Sequence, residues 1–190
     1  MKKEFYTMQH INTRTFDMIK ISMFTALICV CSVITVSIGP VPVNMALLGI
    51  FLSVGLLGMF KGFLSVALFI ALGAFGLPVF AGFKAGFAVL AGPTGGYITG
   101  YLLAAAVAGF GIKFFKSKEL TVIIFMTAGL LICYLFGTVW FVISTNADVS
   151  YAVGVCVFPF VPFDAVKIVI SRLVCRQVFK NRYIRGFLEV

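Results

Sequence analysis

An acidic and a basic side chain, Asp164 and Lys167, stand three residues apart in an apolar segment that follows Pro162. Proline favours the first turn of a helix, and side chains three residues apart share a helix face. A lone charge inside a bilayer costs about 2.5 to 3.5 kcal/mol on insertion scales, so each group needs a partner. The pair is therefore either a self-neutralising ion pair or a polar floor that binds the amide-like groups or the carboxylate of a ligand.

A glycine-rich insert, residues 76–97, separates two apolar segments and carries a second candidate cation, Lys84. Irregular backbone at membrane depth is tolerated only where protein buries it or where it lines a cavity. We therefore expect the insert to fold over a binding site. Lys84 is either a solvated loop lysine or a group that captures an anionic part of the ligand.

Three further side chains have two interpretations each. Tyr97 and Trp140 lie near helix ends, where aromatic residues anchor a protein at the membrane interface, but either ring would also stack on a ligand. Asn44 follows Pro42 and is either an N-cap of the next helix or a polar lining group. Ser22 and Ala26 form a small-xxx-small pair, which is typical of a packing surface between helices or toward another subunit.

The sequence lacks the residue motifs of several catalytic, nucleotide-binding and metal-binding sites. The chain has no carboxylate pair, no HExxH or GxSxG motif and no P-loop, so the sequence predicts neither an enzyme nor an ATP site. Its five cysteines lie in apolar runs without a CxxC pair, its single histidine is His10, and we predict no metal site. A proton relay of titratable groups is also absent. The pattern favours a protein that binds a ligand while another protein supplies the energy.

The composition indicates an integral membrane protein, because 62% of the residues are hydrophobic, 11% are charged and the mean hydropathy is +1.14. We predict an all-α fold of six transmembrane helices in one domain, residues 1–190, with a cytoplasmic segment 1–17 and a basic tail 180–190. The predicted segments cover about 18–37, 45–59, 63–77, 95–113, 120–143 and from 162 onward. Lys61-Gly62 is the predicted turn between the second and third, which are short for a crossing. The link 145–163 should hold a short helix that Asn146 or Asp148 caps and that ends before Pro159.

The distribution of positive charge predicts the orientation. With the N-terminus inside, 13 of the 15 Lys and Arg residues face the cytoplasm, and only Lys84 and Lys167 do not. The cytoplasmic set is Lys2, Lys3, Arg14, Lys20, Lys61, Lys113, Lys116, Lys118, Arg172, Arg176, Lys180, Arg182 and Arg185. Both termini are thus expected in the cytoplasm. The net charge of +9 follows from this orientation and from contact with membrane lipid, without any nucleic-acid partner.

Five segments in this order, GPVPV, GLPVFAGFKAGF, LAGPTGGY, GTVWF and PFVPFDAVK, resemble the BioY family of biotin-specific S components of energy-coupling factor (ECF) transporters. The resemblance covers about residues 25–167. It implies a six-helix S component in the cell membrane that binds biotin near its outer face. It also implies separate partner chains: a transmembrane T component, docked through a small-residue motif that Ser22 and Ala26 match in part, and two cytoplasmic ATPases.

The resemblance also implies a ligand site. Biotin would lie beneath the insert, against the residues Phe80, Gly82, Thr94, Tyr97 and Trp140. Asp164 would accept a ureido N–H, and Lys167 would donate to the ureido oxygen or pair with the valerate carboxylate, for which Lys84 competes. Asn44 would supply a polar group where many members have a Thr-Leu-Gln-like segment. The alternatives are an S component for a related vitamin such as lipoate, or a membrane scaffold protein that transports nothing.

Overall fold

A computed structural model describes residues 13–36, 41–115 and 119–181. The described residues form eight helices and one two-stranded hairpin. In chain order these are α1 (Thr13–Val33), β1 (Thr35–Val36), β2 (Val43–Asn44), α2 (Ala46–Leu57), α3 (Met59–Ala74), α4 (Phe87–Ala91), α5 (Gly95–Phe115), α6 (Glu119–Thr145), α7 (Val149–Cys156) and α8 (Val161–Lys180). Predictions for His10, Lys2, Lys3, Lys116, Lys118, Arg182 and Arg185 lie outside these ranges, as do residues 37–40 of the predicted first turn.

Each of the six predicted apolar segments contains a helix, but the predicted bounds of the first segment lie too far toward the C-terminus. Helix α1 begins at Thr13 and ends at Val33 rather than covering about 18–37. Its C-terminal end is followed by β1, which pairs antiparallel with β2 in the register Thr35↔Asn44 and Val36↔Val43. The hairpin places Asn44 at the start of α2, directly beside the end of α1.

The predicted turn at Lys61-Gly62 is wrong. Helices α2 and α3 meet at Gly58, whose φ of +83° is a backbone conformation that glycine adopts without strain. Gly62 lies within α3 and packs against α2, since a Cβ there would lie 2.6 Å from the Val54 Cα. Lys61 lies in the first turn of α3, and its ammonium group pairs with the Asp17 carboxylate of α1.

The described chain carries three helices that are long and apolar enough to cross a membrane, Arg14–Val33, Gly95–Phe115 and Glu119–Thr145. A fourth candidate is the pair α7 and α8, which is bent by 46° at a short break. Helices α2 and α3 are apolar but shorter, at 12 and 16 residues. Length and composition thus support a multi-pass, mostly helical membrane protein with three or four candidate spans.

Helix α7 confirms the short helix predicted in the link 145–163. Its N-cap is Asp148, whose carboxylate accepts a hydrogen bond of 2.9 Å from the Ser150 N–H and a longer one from Tyr151. The helix ends at Cys156, before Pro159, and a turn leads into α8. Pro162 occupies the first turn of α8, so Asp164 and Lys167 both project from the beginning of this helix.

Small residues let α5 and α6 approach closely. A Cβ on Gly96 would lie 2.2 Å from the Trp140 Cβ, and one on Gly129 would lie 2.8 Å from the Ala104 carbonyl oxygen. Close helix approach of this kind is how small residues stabilise helix pairs in membranes. The result is a closely packed helix pair in which α5 carries Tyr97 and Tyr101 and α6 contacts α8.

Candidate ligand-binding site

The predicted pairing of Asp164 with Lys167 is present in the structure. The Lys167 Nζ lies 2.6 Å from the Asp164 Oδ1, and the two residues are only 3% and 1% exposed. The same Nζ donates a second hydrogen bond, of 2.6 Å, to the backbone carbonyl oxygen of Asn44. The lysine therefore joins the beginning of α8 to the hairpin that precedes α2.

Tyr134 of α6 is the second hydrogen-bond donor to the Asp164 carboxylate. Its hydroxyl donates to the Asp164 Oδ2 at 2.5 Å, so each carboxylate oxygen has its own donor. Hydrogen bonds to an ionised group are the strong ones among those in proteins. Asp164 is consequently held in one orientation by α6 and α8 together.

Asn44 is a polar lining group of the site, as one interpretation predicts, but the N-cap of α2 is the next residue, Met45, and the N-cap interpretation is wrong. The Asn44 Oδ1 accepts a hydrogen bond of 3.0 Å from the Ala46 N–H, which satisfies a free donor at the start of α2. Its side-chain amide also meets the Tyr101 hydroxyl, at 3.3 Å from Nδ2 and 3.4 Å from Oδ1. Asn44 thus links the Asp164–Lys167 pair to Tyr101 of α5.

We use the name polar floor for the five residues of this network: Asn44, Tyr101, Tyr134, Asp164 and Lys167. Sequence reasoning missed Tyr101 and Tyr134. One signal was available, because Tyr97 and Tyr101 are four residues apart on one helix and therefore share a face. A buried tyrosine hydroxyl also requires a hydrogen-bond partner, which points to a polar site nearby.

A small cavity of about 30 Å³ lies next to the polar floor and beneath the insert. Five of the predicted site residues line it: Asn44, Phe80, Lys84, Thr94 and Tyr97. Tyr101 lines it as well, so the polar floor reaches the cavity through Asn44 and Tyr101, whereas Tyr134, Asp164 and Lys167 do not line it. The structure therefore brings together the insert, the hairpin and the tyrosine face of α5.

Phe80 occupies the position where the insert meets the helices. The residue is 1% exposed, and its ring packs edge-on against Phe69 with 5.6 Å between the ring centroids. It also covers Gly73, where a Cβ would lie 2.2 Å from the Phe80 Cζ. The side chain is thus a plug that fills the space between the insert and α3.

The insert turns back on itself between Phe80 and Lys84. The Phe80 N–H donates to the Lys84 carbonyl oxygen at 3.0 Å, and Gly82 and Phe83 at the tip have φ of +71° and +58°. Gly82 is exposed and lies outside the residues that line the cavity, so its contribution here is to the backbone of the turn. Lys84 is exposed at the rim.

Two predicted aromatic residues have different surroundings. The Tyr97 hydroxyl lies 2.9 Å from the Thr138 Oγ1, and its ring packs on Gly137 while it also lines the cavity. Trp140 is 37% exposed, does not line the cavity, and donates from Nε1 to the Gly92 carbonyl oxygen at 3.0 Å. Trp140 therefore fastens the end of the insert to α6.

The small pair Ser22 and Ala26 lies on the exposed face of α1. A shallow groove of about 440 Å³ runs along the same helix, and its lining residues are Met23, Phe24, Ala26, Leu27 and Val30. The pair is remote in sequence from the polar floor and belongs to a separate surface.

The arrangement suits recognition of a small polar head group. The polar floor offers a carboxylate acceptor and an ammonium donor, and the cavity walls are aromatic and aliphatic. Among the residues that the structure describes, no group of three or more His, Cys, Asp or Glu side chains could hold a metal ion. The site can therefore bind and orient a ligand through hydrogen bonds and apolar contact.

Comparison with known proteins gives one consistent family. The model of the BioY family matches residues 1–183. The chain is 42% identical to the biotin transporter BioY of Thermotoga maritima over 165 residues, which cover 86% of this chain and 96% of that protein. It is 37% identical to a probable biotin transporter BioY of Pyrococcus horikoshii, covering 85% of this chain and 94% of that protein.

A solved structure agrees with the sequence relatives. The crystal structure of the S-component for biotin from an ECF-type ABC transporter superimposes with a TM-score of 0.83 at 28% identity. The match covers 90% of this chain and 94% of that one. With a family model that matches nearly the whole chain and relatives above 30% identity, this chain belongs to the BioY family.

Proposed function

We propose that this chain is the substrate-binding membrane subunit that captures biotin from outside the cell for ATP-driven uptake by an ECF-type transporter. The observation that carries the proposal is the polar floor, in which Asn44 connects the buried Asp164–Lys167 pair to a cavity under the glycine-rich insert. The family membership supports the same conclusion, because its named relatives are biotin transporters.

In this proposal the chain crosses the cell membrane six times, through α1, α2, α3, α5, α6 and α8, with both termini in the cytoplasm. Helices α2 and α3 are short for a crossing and would require local thinning of the bilayer. The charge distribution supports the orientation. Apart from Lys84 in the insert and Lys167, the described cations lie at the end of the helices opposite the polar floor. The insert and the polar floor then face outward.

Two residues of the polar floor would bind the ureido head group of biotin. Asp164 accepts a ureido N–H, and Lys167 donates to the ureido oxygen. The Lys167 Nζ already donates to a carbonyl oxygen, that of Asn44, at 2.6 Å. A ureido carbonyl is chemically similar to this backbone amide, so the ligand can replace it without leaving the ammonium group unpaired.

Lys84 is the better partner for the valerate carboxylate. Lys167 is occupied by a carboxylate and a carbonyl, whereas Lys84 takes part in none of the ion pairs among the described residues. Lys84 also lies exposed at the rim of the cavity, where the tail of a ligand seated on the polar floor would emerge. The tail would leave between the insert and the hairpin.

Entry of biotin requires the insert to move. The cavity of about 30 Å³ is far smaller than the roughly 300 to 1,000 Å³ of small-molecule pockets. Phe80 fills the adjacent space, so its withdrawal with the turn 80–84 is the simplest way to enlarge the site. Glycines at 76, 82 and 86, all with positive φ, give the insert the backbone freedom for this motion.

Energy for release would come from separate chains, a T component and two cytoplasmic ATPases, because this sequence has no P-loop. The exposed pair Ser22 and Ala26 and the groove beside it on α1 form the surface proposed for the T component. ATP hydrolysis would then release biotin by reorienting the subunit in the bilayer.

The test is equilibrium binding of biotin to the full chain purified in detergent, measured by calorimetry, with lipoate and riboflavin as controls. Saturable, tight binding of biotin alone is the expected result. Saturable binding of lipoate instead would move the specificity to a related vitamin. A chain that binds none of the three would contradict substrate capture and leave the scaffold interpretation.

A further inference from the structure

A second cavity lies at the opposite end of the helices from the polar floor. It is a groove of about 740 Å³ where the α2–α3 turn, the end of α5 and the end of α8 come together. The turn contributes Leu57, Gly58, Met59 and Phe60, and α3 adds Phe63. Its remaining walls include Ala106, Lys113 and Phe179. We call this cavity the basal groove.

The basal groove is mostly apolar and open, and its lining includes exposed side chains. Phe60 is 73% exposed, which is unfavourable for a large aromatic ring in water but favourable against lipid chains. The floor of the groove is closed, because α2 and α8 touch at Gly55, where a Cβ would lie 2.5 Å from the Cys175 Sγ. In a bilayer, a surface cleft with such an apolar lining is occupied by lipid acyl chains.

Lys113, a cation with no carboxylate partner among the described residues, lines the groove at its rim. Four described cations at this end take part in ion pairs, Lys20 and Lys61 with Asp17, and Arg172 and Arg176 with Glu119. Lys113 belongs to none of these ion pairs, and its ammonium group lies 5.5 Å from the centroid of the Phe114 ring. The groove therefore combines an apolar seat with an unneutralised positive charge at one edge.

We propose that the basal groove binds one anionic phospholipid, with an acyl chain along the groove and the headgroup phosphate against Lys113. Basic pockets between helices at the cytoplasmic side of a membrane protein have the chemistry to hold anionic headgroups. A zwitterionic lipid would fill the same seat less favourably, because its own ammonium group neutralises the phosphate. This proposal does not depend on what the polar floor binds.

The test is native mass spectrometry of the full chain in detergent, titrated with dioleoylphosphatidylglycerol or dioleoylphosphatidylcholine. For the first bound lipid, we expect phosphatidylglycerol to bind more tightly to the unmodified chain. Lys113→Gln should weaken that binding about fivefold and should leave phosphatidylcholine binding unchanged. Lys61→Gln is the matched control: it removes the same charge at the same end, but from an ammonium group that is paired with Asp17.

A second variant tests the seat of the acyl chain. Ala106→Leu adds bulk to the wall of the groove, so it should weaken the first binding of both lipids alike. Equal affinity for the two lipids in the unmodified chain, or equal effects of Lys113→Gln and Lys61→Gln, would overturn the proposal. Absence of any saturable lipid binding would also overturn it and would favour a protein partner as the cover of the groove. Failure of biotin binding in calorimetry would leave it untouched.

Discussion

Two charged clusters lie at opposite ends of the described helices, and they are built differently. In the polar floor, one carboxylate and one ammonium group face each other with side chains 2% and 4% exposed. At the other end, Asp17 serves two lysines, Lys61 and Lys20, and the Asp17 and Lys61 side chains are about a third exposed. The first cluster is balanced and buried, whereas the second carries excess positive charge and is partly exposed at Asp17 and Lys61, with only Lys20 buried.

The difference follows from what each cluster has to do. Burial of a balanced pair is expensive, and we infer that in the polar floor it serves to hold the two charges in a fixed orientation. The partly exposed cluster ties α1 to α3 at little cost, together with the hydrogen bond of 3.2 Å from the Thr25 hydroxyl to the Ser65 carbonyl oxygen. We therefore expect the polar floor to control ligand binding and the Asp17 cluster to control only stability.

The largest effect should come from Lys167→Met. It leaves the Asp164 carboxylate buried without its cation, which should cost about 3 to 5 kcal/mol of stability. Biotin binding should be lost in calorimetry, and the thermal unfolding midpoint in detergent should fall. The double variant Asp164→Asn/Lys167→Met should regain stability without regaining binding. If the double variant binds biotin normally, the pair is only a self-neutralising ion pair.

A smaller loss should come from Tyr134→Phe, which removes one hydrogen bond to a charged group and leaves the Asp164 Oδ2 without its donor. A bond of this kind contributes about 1.5 to 3 kcal/mol, so biotin affinity should fall about tenfold to a hundredfold. In the background of Asp164→Asn the same substitution should have little further effect. Additive losses in this double-mutant cycle would contradict the assignment of Tyr134 as a positioning residue.

Tyr134 also marks the limit of what the sequence could predict. Asp164 and Lys167 share one helix turn, and the Asp148 cap lies within three residues of its partners, so local spacing was sufficient for both. Tyr134 meets Asp164 across 30 residues, and Lys167 meets the Asn44 carbonyl across 123. A contact between distant helices depends on their relative rotation, and a backbone acceptor has no signature in residue type.

The same reason explains the error in the α2–α3 turn. A lysine that interrupts an apolar run normally indicates the end of a span, and for this reason the sequence predicts a turn at Lys61. Its actual partner, Asp17, lies 44 residues earlier on another helix, which lets the lysine remain in the first turn of α3. Gly62 was equally ambiguous, because glycine serves both tight turns and close helix packing, and here it serves the second.

Lys84→Gln tests whether the tail of the ligand leaves over the rim of the site. Loss of one exposed charge should reduce biotin affinity by about fivefold or less. Biotin methyl ester has no carboxylate, so its affinity should be the same for Lys84→Gln and for the unmodified chain. Calorimetry with both ligands provides the comparison. An equal loss of affinity for biotin and for its methyl ester would show that Lys84 acts on the insert rather than on the ligand carboxylate. Lys167 would then be the partner of that carboxylate.

The smallest effect should come from the other cluster. Asp17→Asn leaves Lys20 and Lys61 near each other without their shared carboxylate, and their repulsion should lower the thermal unfolding midpoint slightly. The pair with Lys61 is partly exposed, so the expected cost of losing it is about 0 to 1 kcal/mol. Lys20 is buried, but its contact with Asp17 is longer, at 3.8 Å, and its ammonium group also lies over the Phe16 ring. Biotin affinity should not change, because the cluster shares no residue with the polar floor or its cavity. A large loss of affinity in this variant would mean that the two ends of the molecule are coupled through α1 and α3, and the contrast between a functional and a structural cluster would then fail.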